Sequence, residues 1–217
     1  MGTAPYEAIV VGGGPAGLSA CAELSRLGVR TLLLERKREV GIPVQCGEAV
    51  SRLFMEECGM AADLPWVVAP VRGLRMVMPN GGSITLPRQG FCIRRDAFEK
   101  WLFAEYAALG GEAHLGERVL DAAEENGRVR LRTKRGEYAA LAVVAADGPL
   151  SGVATSLGLI RSARCISAIQ YKFHAADARG AGILNFYFSG RIAGGYFWVF
   201  PTGGETSVGV GEPTGAC

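Results

Sequence analysis

Three glycines and a carboxylate carry the clearest chemistry in this sequence. The apolar run Ala8-Ile9-Val10-Val11 ends in Gly-x-Gly-x-x-Gly at Gly12, Gly14 and Gly17. Gly12 permits a tight turn out of a strand, and Gly14 lets backbone approach a pyrophosphate. Gly17 lets a helix lie close to a sheet. Pro15 and Ala16 lead into that helix, whose free N–H groups and dipole favour an anion. A second β-rich run, Arg30–Leu34, ends in Glu35, where a carboxylate can accept the hydroxyl protons of an adenosine ribose. The chain has 31 glycines, so the spacing alone is weak. Strand, glycine turn, helix, strand and acid in that order read as a dinucleotide site.

Further along, Arg94-Arg95 opens a helix-like segment. An arginine there opposes the helix dipole, so a nearby anion would account for it; a solvated pair of arginines is the alternative. Asp147-Gly148 marks a sharp turn after a short apolar run, at the strand end where open α/β sheets place ligands. Tyr196, Trp198 and Phe200 alternate onto one strand face, a wall for a flat or apolar ligand or equally a core stripe. Cys46 stands in a Gly/Pro-punctuated loop, as a reactive thiol or as inert core. His114 and His174 show no carboxylate or nucleophile partner in the sequence and receive no role.

The elements that must position these residues can be read in outline. Pro15–Leu27 reads as a helix stopped by Gly28, which makes Ile9–Glu35 a right-handed βαβ unit. Arg36–Gly47 reads as loop and Glu48–Cys58 as helix. Val71–Met78 and Ser83–Leu86 flank a turn, as do Glu117–Ala123 and Arg128–Thr133 around Asn126-Gly127. Asp96–Leu109 is the clearest helix, with Asp96 placed to cap it. Leu141–Ala146 has the character of a fully buried strand. From Cys165 onward only strand-like runs appear, at 165–174, 183–188, 196–200 and 207–210, which suggests an antiparallel sheet.

Composition bounds the function. An apolar content of 49% is ample for a core, and a net charge of +2 without a basic–aromatic cluster excludes nucleic acid. No apolar run is long enough for a membrane span, and the start of the chain leaves no room for a signal peptide. Cys21, Cys46, Cys58, Cys92, Cys165 and Cys217 form no C-x-x-C pair. That argues against zinc and disulfides and suits a reducing cytoplasm.

The segment Glu7–Glu48, with Glu35-Arg36 closing the second strand, resembles the FAD-binding opening of flavoproteins of the p-hydroxybenzoate hydroxylase type. Gly41-Ile42-Pro43-Val44-Gln45-Cys46-Gly47-Glu48 is similar to the matching segment of geranylgeranyl reductases, which saturate prenyl chains of archaeal lipids or of chlorophyll. Tyr196–Pro201 resembles their Tyr-x-Trp-x-Phe-Pro signature, with Ala193 where members often carry proline.

The resemblance implies FAD, held by Gly12, Gly14, Pro15, Ala16, Gly17, Glu35, Arg36, Arg95, Asp147 and Gly148. Cys46, Tyr196 and Trp198 would be the catalytic set. It implies reduction of C=C bonds in an isoprenoid lipid by hydride from the flavin, supplied by an electron donor such as NAD(P)H or ferredoxin. The enzyme would be cytoplasmic, with peripheral membrane contact. The expected fold is α/β: a Rossmann-like FAD-binding domain with inserted hairpins over 1–160, then part of an antiparallel substrate domain over 161–217. The family's third fingerprint, a Gly-Asp pair, is absent after Pro201, so a C-terminal remainder is expected to be missing. A flavin-dependent hydroxylase on the same scaffold, or a non-catalytic flavin-binding fragment, remains open at this point.

Overall fold

The computed structural model describes residues 6–160, 165–174 and 182–214. Cys217 lies outside them. In chain order the elements are β1 (Tyr6–Val11), α1 (Pro15–Arg26), β2 (Thr31–Glu35), β3 (Ala49–Ser51), α2 (Arg52–Glu57), β4 (Val67–Val77), β5 (Ser83–Ile93) and α3 (Arg95–Ala108). There follow β6 (Glu112–Leu115), β7 (Val119–Glu125), β8 (Arg128–Thr133), β9 (Glu137–Ala145) and α4 (Gly152–Ser156). The last four are β10 (Cys165–Phe173), β11 (Ile183–Tyr187), β12 (Tyr196–Pro201) and β13 (Thr206–Thr214).

The chain forms two units. One is Met1–Val44 with Asp96–Ala163, and the other is Gln45–Arg95 with Arg164–Cys217. This redraws the division expected at 160/161. Residues 45–95 leave the nucleotide-binding unit because their long hairpin, β4–β5, pairs through β4 with β11. Backbone pairing, not sequence order, assigns them to the second sheet.

The first unit is built on a six-stranded sheet in the order β6-β2-β1-β9-β8-β7. β6, β2, β1 and β9 run parallel, and β8 and β7 add an antiparallel edge. Ile9, Leu32, Leu34, Leu131 and Val153 pack its core. The βαβ unit β1–α1–β2 forms as its spacing requires. The β7–β8 turn takes left-handed Asn126 and Gly127, with φ of 53° and 70°, the backbone that a two-residue hairpin needs. One expectation fails here. β9 is hydrogen-bonded on both sides, yet Leu141 is 58% exposed. Strand neighbours satisfy backbone groups only, and side-chain burial needs a layer over the face as well.

The second unit is a seven-stranded sheet, β10-β13-β12-β11-β4-β5-β3. It is antiparallel except at β11–β4, which runs parallel, so the expectation of a wholly antiparallel sheet is corrected at one pair. Val71, Cys92, Leu184, Trp198 and Phe200 form its core. The helix expected over Glu48–Cys58 proves shorter. Ala49–Ser51 pairs with β5, and only Arg52–Glu57 is helical, capped by Ser51 Oγ accepting from Phe54 N at 3.0 Å. α3 begins at Arg95, so Asp96 lies in its first turn and not at the cap.

Candidate active site

In the first unit three separate stretches converge. Gly12 N donates to Leu34 O at 2.9 Å, and Ala146 N donates to Val11 O at 2.9 Å. The glycine turn is thereby tied to the ends of β2 and β9. A Cβ on Gly12 would lie 2.3 Å from Ala146 O, and one on Gly17 would lie 1.8 Å from Gly12 O. These two glycines are required by packing of the chain on itself. Gly14 differs: a Cβ there would meet nothing within 4 Å. α1 starts after Gly14 with Pro15 at its first turn, no side-chain cap and no acidic residue in that turn. Open space before an uncapped helix N-terminus is the cradle a pyrophosphate fits.

Glu35 closes one side. It is buried, and its carboxylate accepts from Gly13 N and, at 2.7 Å, from Lys37 N. Each oxygen keeps a second lone-pair direction, so the group can still accept ribose hydroxyls. Arg36 beside it is exposed, as is Ala16. Asp147 is spent on local structure: Ser151 Oγ and, at 3.3 Å, Val153 N donate to it, which fixes the turn into α4. Gly148, with φ of 97°, carries that turn. The residues present therefore fit a dinucleotide such as FAD.

The second unit gathers the other sequence-marked residues. Arg95 Nη1 donates to Cys46 Sγ at 3.3 Å, and Glu48 N donates to the same sulfur at 3.3 Å. Tyr196, Trp198 and Phe200 share one face, with ring centroids 6.2 Å apart at each step, and Phe186 packs edge-on between Tyr196 and Phe200. Trp198 and Phe200 are buried in the core, and Tyr196 is half-buried. Gly209 makes room for the indole, since a Cβ there would lie 2.2 Å from Trp198 Cζ2.

A hydrogen-bond chain connects the tryptophan to the cysteine turn. Trp198 Nε1 donates to Ser207 Oγ at 3.2 Å, and Ser207 Oγ donates to Gln170 Oε1 at 3.3 Å. Gln170 Nε2 then donates to Cys46 O at 3.0 Å.

Several of these partners escape sequence reasoning. Glu48 is fully buried, accepts from Arg95 N at 3.0 Å and pairs with Lys172 Nζ. Burial, reinforced by the Glu48 carboxylate, pushes the Cys92 thiol up to about 11. Gln170, Lys172 and Ser207 carry no motif. The available signal is the alternation along β10, whose polar positions 170 and 172 fall on one face. The histidines also differ from expectation: His114 Nε2 lies 3.1 Å from Glu112 Oε1, and His174 Nδ1 lies 3.6 Å from Glu205 Oε1. Strand alternation and the β12–β13 turn make those pairs, which linear spacing conceals. Among the described residues no group of metal-ligating side chains assembles, and no helix is long and apolar enough to cross a membrane.

Comparison with known proteins agrees with this geometry. Residues 5–60 match the FAD binding domain family. Digeranylgeranylglycerophospholipid reductase 2 of Methanopyrus kandleri is 32% identical over 95% of this chain and 54% of its own length. A geranylgeranyl bacteriochlorophyll reductase-like protein from Thermoplasma acidophilum superposes with a TM-score of 0.85 at 32% identity, over 97% of this chain and 57% of that one. A probable FAD-dependent monooxygenase from Pseudomonas aeruginosa, at 16% identity and a TM-score of 0.74 over 97% of this chain and 61% of that one, shares the fold. The chain spans a little over half the length of the curated relatives it matches. With a glycine cradle suited to FAD, the chain carries an FAD-binding segment and is similar along nearly all its length to geranylgeranyl reductases.

Proposed function

We propose that this chain carries the FAD-binding and substrate-facing parts of a reductase that saturates C=C bonds of a geranylgeranyl lipid. The observation that carries the reading is the second unit's arrangement. An aromatic face at Tyr196, Trp198 and Phe200 is wired to the Cys46 turn through Ser207 and Gln170. Bound and reduced, FAD supplies a hydride equivalent to an alkene. The chain's part is to bind and to orient. Gly12–Gly17 would hold the pyrophosphate, Glu35 the ribose, and Arg95 and the Asp147-Gly148 turn the remaining polar groups.

Tyr196, half-buried and backed by the buried Trp198, would form an apolar wall against which an isoprenoid chain loses water and mobility. Reaction needs separations of about 3–3.5 Å, so a stiff wall matters. The indole N–H bond to Ser207 and the Gly209 gap supply that stiffness. Cys46 contributes a sulfur that accepts two N–H bonds and lies against this wall's supporting network. The electron donor would be a nicotinamide or ferredoxin, and the setting the cytoplasm with peripheral membrane contact. The described cysteines are all free thiols, in keeping with a reducing compartment.

The test is a single turnover. FAD-loaded, photoreduced protein is mixed anaerobically with a geranylgeranyl lipid, and flavin absorbance and alkene content are followed together. Flavin oxidation with matching alkene loss is expected. Reoxidation only on admission of O₂, with an oxygenated product, would establish a hydroxylase instead.

A further inference from the structure

The Cys46–Glu48 turn contains a buried charge that the reductase reading leaves unused. Glu48 is 1% exposed and sits at φ of 59°, a left-handed backbone that few residues other than glycine adopt. That backbone turns its N–H back onto Cys46 Sγ at 3.3 Å. Its carboxylate accepts from Arg95 N at 3.0 Å, while the guanidinium of the same arginine donates to Cys46 Sγ at 3.3 Å. Both donors to the sulfur are therefore anchored by one residue. The charge is matched by Lys172, which pairs with Glu48 Oε2 from β10. Two residues earlier on that strand, Gln170 Nε2 donates to Cys46 O at 3.0 Å. One strand thus pins both ends of the turn.

We propose that Glu48, neutralised by Lys172, is a positioning residue that sets the direction and the reactivity of the Cys46 thiol. The proposal rests on the reading above only in taking Cys46 to face the reaction. Sulfur reacts as thiolate, so charge around it decides its rate. The charges arrayed around the sulfur are the Arg95 guanidinium, which touches it, the Glu48 carboxylate, and the Lys172 ammonium, which offsets Glu48. Cys92 also lies near Glu48, and burial and the same carboxylate keep it protonated well above neutral pH. It adds no charge that would blur the balance. The geometry also gives Glu48 two separable parts. Its amide acts on the sulfur directly, whereas its carboxylate acts through Arg95 and through charge.

The experiment is alkylation of Cys46 by iodoacetamide near neutral pH in the folded chain. Peptide mass spectrometry separates Cys46 from Cys58 and Cys165, and Cys58, which is exposed, serves as the internal control. Glu48→Gln keeps an acceptor for Arg95 N–H but removes the negative charge, so Cys46 should alkylate about threefold faster or more. Lys172→Met leaves that negative charge uncompensated, so the rate should fall by a similar factor. Lys172→Arg restores the cation and should return the rate towards wild type, which guards against a folding defect in Lys172→Met. A purely structural role would loosen the turn in both variants and speed both. Acceleration in both, no change in both, or failure of the arginine to rescue would each overturn the proposal. No prenyl lipid and no turnover enter the assay, so its outcome stands apart from that of the reductase test.

Discussion

Glu35 and Glu48 are both buried carboxylates that accept backbone N–H bonds, one in each unit of the chain. Their surroundings differ in kind. Glu35 binds the amides of Gly13 and Lys37, and beside it Gly14 opens onto free space. Glu48 is closed in by Arg95, Lys172 and the Cys46 turn. The first is a charge kept available next to a cradle, as recognition of a neutral ribose requires. The second is a charge already matched within the chain, as a structural pivot requires. The same contrast runs through the glycines: Gly12, Gly17 and Gly209 are filled by the protein itself, and Gly14 is left for something else.

The largest expected effects separate filled glycines from the open one. Gly17→Ala places a Cβ 1.8 Å from Gly12 O, a clash with backbone that cannot rotate away. It should cost more than about 3 kcal/mol and abolish folding of the first unit. At Gly14 an added Cβ meets nothing within 4 Å and φ of −83° suits any residue, so Gly14→Val should be tolerated by the fold. Its melting temperature should stay near that of wild type while FAD binding disappears. Thermal unfolding with FAD titration by flavin fluorescence checks both. Retained FAD affinity in Gly14→Val would break the assignment of that space to the pyrophosphate.

Next comes the aromatic face. Trp198→Ala removes an indole that is buried, hydrogen-bonded to Ser207 and seated on Gly209. Loss of such a side chain costs about 3–5 kcal/mol. Trp198→Phe should cost less and keep FAD affinity, measured by the same titration, while single-turnover alkene reduction slows several-fold. An unchanged reduction rate in a folded Trp198→Phe protein would demote the indole to core alone.

The two carboxylates give a smaller and sharper pair. Lys172→Met leaves the buried Glu48 charge without its ammonium partner and should cost about 2–3 kcal/mol by urea unfolding, less than the 3–5 kcal/mol of a fully buried pair because Lys172 is one-third exposed. Glu35→Gln should change stability by about 1 kcal/mol or less. It should weaken FAD binding by about 1–3 kcal/mol, the cost of losing hydrogen bonds to a charged acceptor. Reversal of this pattern would mean that the two acids had been assigned the wrong way round.

How much of this was legible depends on how local each device is. The glycine cradle, Glu35 and the Asn126-Gly127 turn are set by neighbours in sequence, so their spacing states their geometry. Cys46 and the Tyr196–Phe200 alternation were visible as residues but not as contacts. Gln170 and Lys172 were missed because their strand reads inside out, and Glu48 because its partner Lys172 lies far along the chain, on that same strand. Ile169, Tyr171 and Phe173 of β10 are 56%, 63% and 54% exposed, while Gln170 and Lys172 face the Cys46 turn. A hydrophobic-inward reading puts the wrong face on the core. The division of the chain was misplaced for a related reason. The β4–β11 pairing joins residues more than a hundred positions apart, and no local pattern specifies it.

A last effect, confined to alkaline pH, tests whether the two units share one weakness. Each holds a buried cysteine whose thiol is raised by burial, Cys21 to about 12 and Cys92 to about 11, the latter also by Glu48. An unfolded chain releases these protons near pH 9, whereas the folded chain keeps them. Between pH 9 and 11 the unfolded state therefore binds fewer protons, and stability falls as pH rises. The stabilisation is fully present below pH 9 and is lost progressively above it. Each thiol should contribute a loss of about 1–3 kcal/mol by pH 11. Urea unfolding at pH 8, 9, 10 and 11 measures the slope in wild type, Cys21→Ala and Cys92→Ala. Each substitution should flatten the slope without altering its sign. If Cys92→Ala flattens it less once Glu48→Gln is also present, then the carboxylate shares in holding that proton. Additive slopes in the double variant would confine the effect to burial alone.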